Sequence, residues 1–380
     1  MSSKQSFYFI SNTDIINPKG GWDGLGSMLY NILDKHFDVH LLDKINPKVS
    51  FFDRVVNNIK KKVGIKSDFY FFSPNRLKKI AHLYENKIDD KTSFLFFHGS
   101  TPWTYIIPKQ KYFVLLDCSF KTYLSVYHAK SKFSGFDLNR LYNQDKTFLN
   151  NAELVLFTSS FALNKASIDY NFSTEKFISI SQGPSIPASE RHLDSTIKKK
   201  QFLFIATNFE GKGGLLIYNA FKRFAKSYSD YKLVIVGQKP PQYILDNNNV
   251  TYLGFIDKSN VDGLSLLGKL YAESLFLLLL SDQDIAPLVI IEAANEFCPS
   301  IALNTSAVSE MIVDNETGYI LNGKSEELLL LKLIETTNLS NEEYLRICLN
   351  AKDFMSINFN WASIEKKIID ILVSKINVKE

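Results

Sequence analysis

The stretch LFLLLLSDQDIAPLVIIEAANEF, Leu275 to Phe297, decides the fold because it joins a strand pattern to a buried helix pattern. Its first six residues are all apolar, which is typical of a strand covered on both faces in a parallel sheet. Pro287 fits the first turn of a helix, and the apolar residues after it predict a buried helix that ends near Phe297. Glu292 lies inside this helix, so its carboxylate requires an internal salt bridge, a position open to water, or a ligand.

Strand and helix patterns alternate along the whole chain, which predicts parallel sheets of the α/β class. In the first half the predicted strands are 7–11, 39–42, 94–97, 112–116 and 154–158. In the second half they are 202–206, 232–236, 251–253, 275–280 and 300–303. Helix patterns fall between the strands, among them 24–35, 74–86 and 138–151. The ligand option for Glu292 follows from this class, because open α/β sheets bind ligands above the carboxyl ends of their strands.

The stretch GPSIPASERHLDSTIKKKQ, Gly183 to Gln201, contains two prolines and a lysine run but no apolar period, so it is predicted to be a linker. It divides the chain into two doubly wound, Rossmann-like domains that face a central cleft. We assign residues 1–195 to the amino-terminal domain and residues 196–357 to the carboxyl-terminal domain. The tail, residues 358–380, has the pattern of an amphipathic helix.

The composition describes an ordinary globular protein, with 45% hydrophobic and 22% charged residues. A net charge of +4 is too mild for a typical nucleic-acid-binding domain. The three cysteines are scattered without a CxxC pair, which indicates neither a disulfide framework nor a zinc site. No signal peptide and no apolar run of membrane-spanning length is visible, so we expect a cytoplasmic protein.

Two loops that follow predicted strands carry residues suited to anions. Gly20 and Gly21 lie between the first strand and the first helix, where glycine lets backbone amides approach an anion closely. Lys212 comes directly before a helix of the second half, so its ammonium would add to the positive end of that helix. A flexible turn and an ordinary surface lysine remain the alternatives.

Two further polar residues follow strands of the first half. His98 comes after the strand 94–97, and Asp117 comes after the strand 112–116. A histidine there is placed for hydrogen bonding or charge stabilisation, and a structural role is the alternative for both residues. The sequence DQD, Asp282 to Asp284, matches a short metal-binding pattern, but it precedes a buried helix and we predict no metal site there.

Several segments resemble one family. The segment Asp284–Leu321 resembles the donor-binding segment of the retaining GT-B glycosyltransferases of family 4, also called glycosyl transferases group 1. The shared pattern is an acidic residue, seven others and Glu, followed by an E-x6-TG pattern that includes Glu310 and Gly318. NFEGKGG, Asn208 to Gly214, resembles a loop of the same family, and weaker similarity extends through the first half.

This resemblance implies a role for each candidate residue. Glu292 would hold the nucleotide ribose, and Asp284 would bind hydroxyls of the donor sugar. Backbone amides near Pro287 and Leu288 would meet the diphosphate, and Lys212 would neutralise it as it departs. The residues assigned to catalysis are His98, Lys212 and Asp284. The residues assigned to donor binding are Gly20, Gly21, Asn208, Lys212, Asp284, Pro287, Leu288 and Glu292, and those assigned to acceptor binding are Trp22 and Asp117.

The chain departs from the family pattern at three places. The family usually has Glu where Asp284 stands, and many relatives have Arg where Thr207 stands. The turn after the donor helix normally ends in Gly, whereas this chain has Phe297 and Cys298 there. These departures bear on the identity of the donor and on efficiency.

The implied activity is transfer of a sugar, with retention, from a UDP- or GDP-sugar to a glycan, glycolipid or small hydroxyl acceptor, without a metal or other cofactor. The tail helix that begins at Trp361 would return to the amino-terminal domain. A two-domain binding protein without catalysis is the alternative. A nucleotide-sugar epimerase is a weaker one, because the dinucleotide fingerprint is absent near the first strand.

The segment 52–63 has apolar residues at helical spacing and a run of basic residues, Lys60 to Lys62. One interpretation is a helix packed on the first domain with a solvated basic face. The other is a helix on an anionic membrane that presents the protein to a lipid-linked acceptor at the inner membrane face.

Overall fold

The computed structural model describes residues 4–18, 20–88, 94–172, 174–186 and 199–376. The chain forms two compact units. The first comprises Met1–Ser181 and Glu365–Glu380, and the second comprises Gln182–Ile364. Each unit is built around its own parallel sheet of six strands.

The first unit has strands in the order β2-β1-β3-β4-β5-β6. The strands are β1 Ser6–Ile10, β2 Asp38–Leu42, β3 Phe94–His98, β4 Tyr112–Leu116, β5 Leu154–Phe157 and β6 Phe177–Ser179. The helices are α1 Gly21–His36, α2 Phe51–Lys62, α3 Pro74–Glu85, α4 Phe120–Tyr127, α5 Gly135–Asn151 and α6 Ser160–Tyr170. Every residue of β4 and β5 is buried, as expected of central strands with helices on both faces.

The second unit has strands in the order β12-β11-β10-β7-β8-β9. The strands are β7 Gln201–Ala206, β8 Lys232–Gly237, β9 Val250–Tyr252, β10 Phe276–Leu279, β11 Ser300–Leu303 and β12 Gly318–Leu321. The helices are α7 Gly214–Phe224, α8 Gln242–Leu245, α9 Val261–Glu273, α10 Leu288–Asn295, α11 Val308–Met311, α12 Glu326–Thr337 and α13 Asn341–Asn358. Alternate residues of β7 enter two different core clusters, Phe202 in one and Leu203 in the other. The sheet is therefore covered on both faces.

Both strand orders reverse direction at one place, which is where a doubly wound sheet binds ligands. In the first unit β1 lies beside β3, and the chain winds outward from this pair in both directions. In the second unit the corresponding pair is β7 and β10. The loops after β1, β7 and β10 carry Gly20, Lys212 and Asp284, and His98 is the last residue of β3. The predicted fold class is thereby confirmed as two Rossmann-like, doubly wound α/β domains.

Helix α14, Trp361–Ile376, spans the boundary between the two units. Its residues up to Ile364 group with the second unit, and its residues from Glu365 group with the first. The predicted boundary at residue 195 and most of the predicted linker lie outside the described residues. The compact units divide earlier, after Ser181. The physical reason is that Gln182 already donates a hydrogen bond to Ala286 O at 2.9 Å in the second unit.

The ends of several elements differ from the predictions. α1 begins at Gly21, ahead of the predicted residue 24, and α10 ends at Asn295 rather than near Phe297. Pro287 is the N-cap of α10, so the helix itself begins at Leu288. Two strands, β6 and β12, were not predicted, and both lie at an edge of their sheet.

Candidate functional site

The loops after β7 and β10 bring together two of the predicted catalytic residues, although they are 72 positions apart in the chain. The ammonium of Lys212 forms an ion pair with the carboxylate of Asp284 and donates a second hydrogen bond to Gln283 O at 3.1 Å. The side chains of Lys212 and Asp284 are only 20% and 18% exposed. A partly buried pair of opposite charges therefore lies at the switch point of the second sheet.

The position of Lys212 is fixed by the tight turn that precedes α7. Asn208 closes this turn, since its Oδ1 accepts a hydrogen bond from Gly211 N and its carbonyl accepts one from Lys212 N, both at 3.0 Å. Gly213, the N-cap of α7, has a φ of 84°, and a Cβ there would lie 2.5 Å from Leu280 O. A side chain at residue 213 would therefore clash with the backbone that follows β10, beside the residue that forms the ion pair.

The amino terminus of α10 lies in the same loop region. Pro287 provides no side-chain hydrogen bond to the helix, so the first amides of α10, beginning with Leu288, are available to an anion. Lys212 is bonded to residues 283 and 284, immediately before this helix end. A positive helix end and a positive side chain are thus placed for binding a phosphate group.

The two carboxylates of the DQD sequence are both engaged by lysines. Asp282 pairs with Lys324 at 2.8 Å, and Asp284 pairs with Lys212. Within the ranges that the structure describes, no group of three or more His, Cys, Asp or Glu side chains could hold a metal ion.

Glu292 is 2% exposed and receives four hydrogen bonds. Lys258 Nζ donates to both carboxylate oxygens at 2.7 Å, and Tyr271 donates to Oε2 at 2.9 Å. Ser185 donates to Oε1. The carboxylate and burial together hold the pKa of Tyr271 well above its ordinary value.

Of the three options that the sequence allowed for Glu292, the structure shows the internal salt bridge, which is formed with Lys258. Lys258 is 23% exposed at its side chain, so the ammonium is at the solvent side of a carboxylate that is wholly covered. A ribose would reach Glu292 only by exchanging with one of its present donors, because a carboxylate accepts about four hydrogen bonds. The role of Glu292 as a ribose ligand stays a prediction.

In the first unit, His98 lies at the end of β3 and is fully buried. Its Nδ1 is 3.1 Å from Ser11 Oγ, whereas its Nε2 is buried without a hydrogen-bond partner among the described residues. Burial lowers the pKa of His98 to about 3, so the imidazole is neutral at physiological pH. A neutral imidazole can still take part in hydrogen bonding through Nε2, and the role of His98 stays a prediction.

Trp22, predicted to contact the acceptor, covers this histidine. Its ring stacks on the imidazole at 4.0 Å between centroids, with 11° between the planes. Gly26, one turn further along α1, faces the other part of the ring, since a Cβ there would lie 2.6 Å from His98 Cε1. Gly20 is the N-cap of α1 and Gly21 its first residue, so both predicted glycines lie at this helix end.

Asp117 follows β4 and is partly covered. Burial raises the pKa of Asp117 to about 6, although hydrogen bonds from Cys118 act in the opposite direction. Burial also raises the pKa of the neighbouring Cys118 thiol well above its ordinary value. A carboxyl group that titrates near neutrality is suited to proton exchange with a hydroxyl.

The structure shows the surroundings of two of the departures from the family pattern. Phe297 has a φ of 56°, the left-handed conformation that glycine adopts most readily, and Cys298 N donates to Ala293 O at 2.9 Å. Lys352 Nζ lies 4.3 Å from the centre of the Phe297 ring. Thr207, where many relatives have Arg, is exposed at the surface of its loop.

Sequence reasoning missed the residues that hold the predicted ones in place. Lys258 and Tyr271, which pair with Glu292, look like a surface lysine and an apolar helix residue in the sequence. In the first unit Asp145 is fully buried and accepts hydrogen bonds from Ser100 and Tyr170. No local pattern marks such residues, because their partners come from distant elements.

Known structures share this architecture. Sucrose-phosphate synthase from Thermosynechococcus elongatus is 13% identical, with 99% of this chain and 100% of that chain covered and a TM-score of 0.70. WaaG, a glycosyltransferase involved in lipopolysaccharide biosynthesis, is 16% identical, with 96% and 98% covered and a TM-score of 0.64. A variant of S. aureus TarM, in complex with Fondaparinux, alpha-GlcNAc-glycerol and UDP, is 16% identical, with 77% of this chain covered and a TM-score of 0.59. The chain spans only 58% of the length of TarM.

These likenesses and the two six-stranded sheets define the class, which is the two-domain GT-B glycosyltransferase architecture. No curated protein matches the chain in sequence. Residues 186–354 match the profile of the glycosyl transferases group 1 family, so this carboxyl-terminal part of the chain is similar to that family. The matched range includes Lys212, Asp284 and Glu292. The resemblance inferred from the sequence is therefore confirmed for the matched part of the chain.

Proposed function

We propose that the protein is a retaining glycosyltransferase that moves a sugar from a UDP- or GDP-sugar to a hydroxyl acceptor. The observation that carries this proposal is the Lys212–Asp284 pair beside the amino terminus of α10. It joins a cation, a helix end and a hydroxyl-binding carboxylate at the switch point of the second sheet. The presence of UDP in the TarM complex favours UDP as the first nucleotide to test.

Donor binding is divided among these groups by their chemistry. The amides at Leu288 and the ammonium of Lys212 bind the diphosphate, because both carry positive charge at an accessible helix end. Asp284 accepts hydrogen bonds from hydroxyls of the sugar. Glu292 accepts them from the ribose after exchange with Lys258 or Ser185.

Catalysis follows from the growth of charge on the leaving diphosphate. As the glycosidic bond to phosphate breaks, negative charge increases at the oxygen near Lys212, so this ammonium binds the transition state more strongly than the bound donor. The leaving phosphate oxygen takes the proton of the acceptor hydroxyl, which attacks the same face of the sugar. His98, held neutral, contributes a hydrogen bond to the sugar through Nε2.

We propose that no metal takes part, since Asp282 and Asp284 are each paired with a lysine that does the work of charge neutralisation. The proposed acceptor is a glycan, a glycolipid or a small hydroxyl compound in bacterial surface polysaccharide or glycolipid synthesis. The role of WaaG in lipopolysaccharide biosynthesis supports this class. Trp22 and Asp117 are the proposed acceptor contacts. We place the protein in the cytoplasm, in peripheral contact with the inner face of an anionic membrane.

Calorimetry with UDP, GDP and their common sugar conjugates tests the proposal. We expect one nucleotide to bind clearly better than the other, and its sugar conjugate to be hydrolysed slowly without acceptor. NMR of the transferred sugar reports whether the anomeric configuration is retained, and a parallel reaction with EDTA tests the metal. Absence of binding by both nucleotides contradicts the proposal. Binding without hydrolysis or transfer identifies the non-catalytic binding protein instead.

A further inference from the structure

Helix α2 of the first unit packs against its domain through polar residues, whereas an ordinary surface helix packs through its apolar face. Its buried residue is Asn57, which is 3% exposed and accepts a hydrogen bond from Asp68 N through Oδ1 at 2.6 Å. Asp53, one turn earlier, accepts a hydrogen bond from Ser73 Oγ at 2.6 Å. The polar face of this helix is therefore the face that is fixed to the domain.

The apolar face of α2 is turned to solvent. Phe51 is 82% exposed, Phe52 is 69% exposed and Ile59 is 55% exposed. Phe52 and Ile59 are seven residues apart, so they lie on the same side of the helix. A surface helix normally buries such a face, and a contiguous exposed apolar patch marks an interaction site.

The exposed face continues beyond the helix. Val63 is 62% exposed and Ile65 is 58% exposed. The chain after them is tied to a second segment, since Ser67 N donates to Lys132 O at 3.2 Å and Ser134 N donates to Ser67 O at 2.8 Å. This second segment ends at Phe136, which is 86% exposed. Residues 51–66 and 130–136 together form what we call the α2 surface.

The α2 surface is strongly basic. Asp53 is its one acidic residue, and Lys60 is paired with Asp68 at 2.5 Å. The remaining basic side chains are exposed and form no ion pair within the described part of the chain: Arg54, Lys61, Lys62, Lys66, Lys130 and Lys132. Apolar side chains surrounded by unpaired positive charge match the acyl boundary and the anionic headgroups of a bilayer.

We propose that the α2 surface docks the protein on an anionic lipid bilayer. The exposed phenylalanines enter the acyl boundary, and the unpaired lysines bind the headgroups. Among the described residues no helix is long and apolar enough to cross a membrane, so contact through this surface is peripheral. This inference rests on the membrane contact within the proposed function and assigns it to particular residues.

A second copy of the chain fits this surface less well. In a symmetric dimer each copy places the same patch against its partner, so two clusters of unpaired lysines would face each other. Like charges brought together in an interface oppose association. A bilayer with anionic lipids supplies the opposite charge instead.

Vesicle sedimentation tests the proposal with full-length protein. We expect binding to phosphatidylglycerol–phosphatidylcholine vesicles at low salt and weak binding to phosphatidylcholine alone. Combined Lys61→Gln, Lys62→Gln and Lys66→Gln should lower binding at least about tenfold. Combined Phe51→Ser and Phe52→Ser should lower it by a similar factor. The matched controls, which should bind as the wild type does, are Lys222→Gln with Lys226→Gln and Lys366→Gln, and Ile168→Ser with Ile357→Ser.

Donor hydrolysis and oligomeric state are measured on the same variants. Variants that have lost vesicle binding should still hydrolyse the donor at the wild-type rate. The proposal for membrane docking and the proposal for glycosyl transfer can therefore fail independently. Wild-type protein that does not bind anionic vesicles overturns the inference. Equal losses in the control variants overturn it as well. A dimer that dissociates on Phe51→Ser with Phe52→Ser, without vesicle binding, assigns the surface to a second copy.

Discussion

Glu292 is a buried carboxylate that the second unit holds through side-chain hydrogen bonds. Four hydrogen bonds converge on its carboxylate, and all of them come from side chains of the second unit. A buried charge with such partners is strongly destabilised when one partner is removed. In the proposed function this carboxylate exchanges Lys258, which is partly exposed, for a ligand hydroxyl.

We expect Glu292→Gln to weaken binding of the preferred nucleotide by about 1–3 kcal/mol, because a charged acceptor is replaced by a neutral amide. Calorimetry measures the affinity, and thermal unfolding reports stability separately. Lys258→Met should lower the melting temperature, because it leaves the buried carboxylate of Glu292 without its cation. Glu296→Gln, at the end of the same helix, is the control. A folded Glu292→Gln protein with normal affinity would assign Glu292 to structure alone.

Asp117 should make stability depend on pH. Its pKa rises from 3.8 to about 6 on folding, so the folded state holds the proton more tightly than the unfolded state. This contribution is complete below about pH 4 and is lost as the pH rises through 6, which makes stability fall by about 1–3 kcal/mol over that range.

We therefore expect Asp117→Asn to unfold at a higher denaturant concentration than wild type at pH 7 and to lose this part of the pH dependence. Urea unfolding between pH 4 and 8 measures both effects. Asp34→Asn, at an exposed position of α1, should leave the profile unchanged. An Asp117→Asn profile parallel to that of the wild type contradicts the assignment.

The sequence predicted the residues that follow strands better than the residues that support them. Lys212 was singled out because it lies in a loop that follows a parallel strand, and Asp284 was singled out through the resemblance to the family. Lys258 and Ser185 were not, because each approaches Glu292 from a separate loop and nothing in its own neighbourhood marks it. The titration of Asp117 was not predicted either, since burial depends on elements distant in sequence.

At the scale of elements, the amino terminus of α10 and the turn before α7 act together through Lys212. We expect Lys212→Ala to lower kcat by about 10²–10³ while changing donor affinity much less, because the charge on the diphosphate increases in the transition state. Steady-state rates give kcat, and calorimetry gives the affinity for the nucleotide. Lys212→Arg should recover part of the rate.

Lys222→Ala, on the exposed side of α7, provides the matched control with the same loss of charge. A Lys212→Ala enzyme with normal kcat and weaker binding would make this lysine an anchor for the bound donor rather than a catalytic group.

The sequence did not predict strands β6 and β12 or the face of α2 that packs against the domain, and each of these failures has a physical reason. β6 and β12 are only three and four residues long and lie at sheet edges, where a strand needs fewer apolar residues. The periodicity of α2 was recognised, but periodicity alone cannot say which face meets the domain. Hydrogen bonds that Asn57 and Asp53 accept decide this, and the donors, Asp68 N and Ser73 Oγ, lie outside the helix.

At the scale of the whole molecule, α14 completes the first unit. Ile368 and Leu372 are both 0% exposed and belong to that unit. Combined Ile368→Ala and Leu372→Ala should lower the free energy of unfolding of the first unit by about 4–10 kcal/mol. Calorimetry should show this loss in one transition, while the transition that the nucleotide stabilises stays in place. Val373→Ala, at an exposed position, should have little effect. Equal loss in both transitions contradicts independent units.

Because most of α14 belongs to the first unit but follows the second unit in the chain, the order in which the two units fold during synthesis should be reversed. Domains usually fold as they leave the ribosome, with the amino-terminal domain first. Here the second unit is continuous from Gln182 to Ile364, whereas the first unit still lacks Glu365 and the residues after it when the second unit has been synthesised. The second unit can therefore reach its native state on the ribosome before the first unit, which still lacks helix α14 at that stage and is open to chaperones.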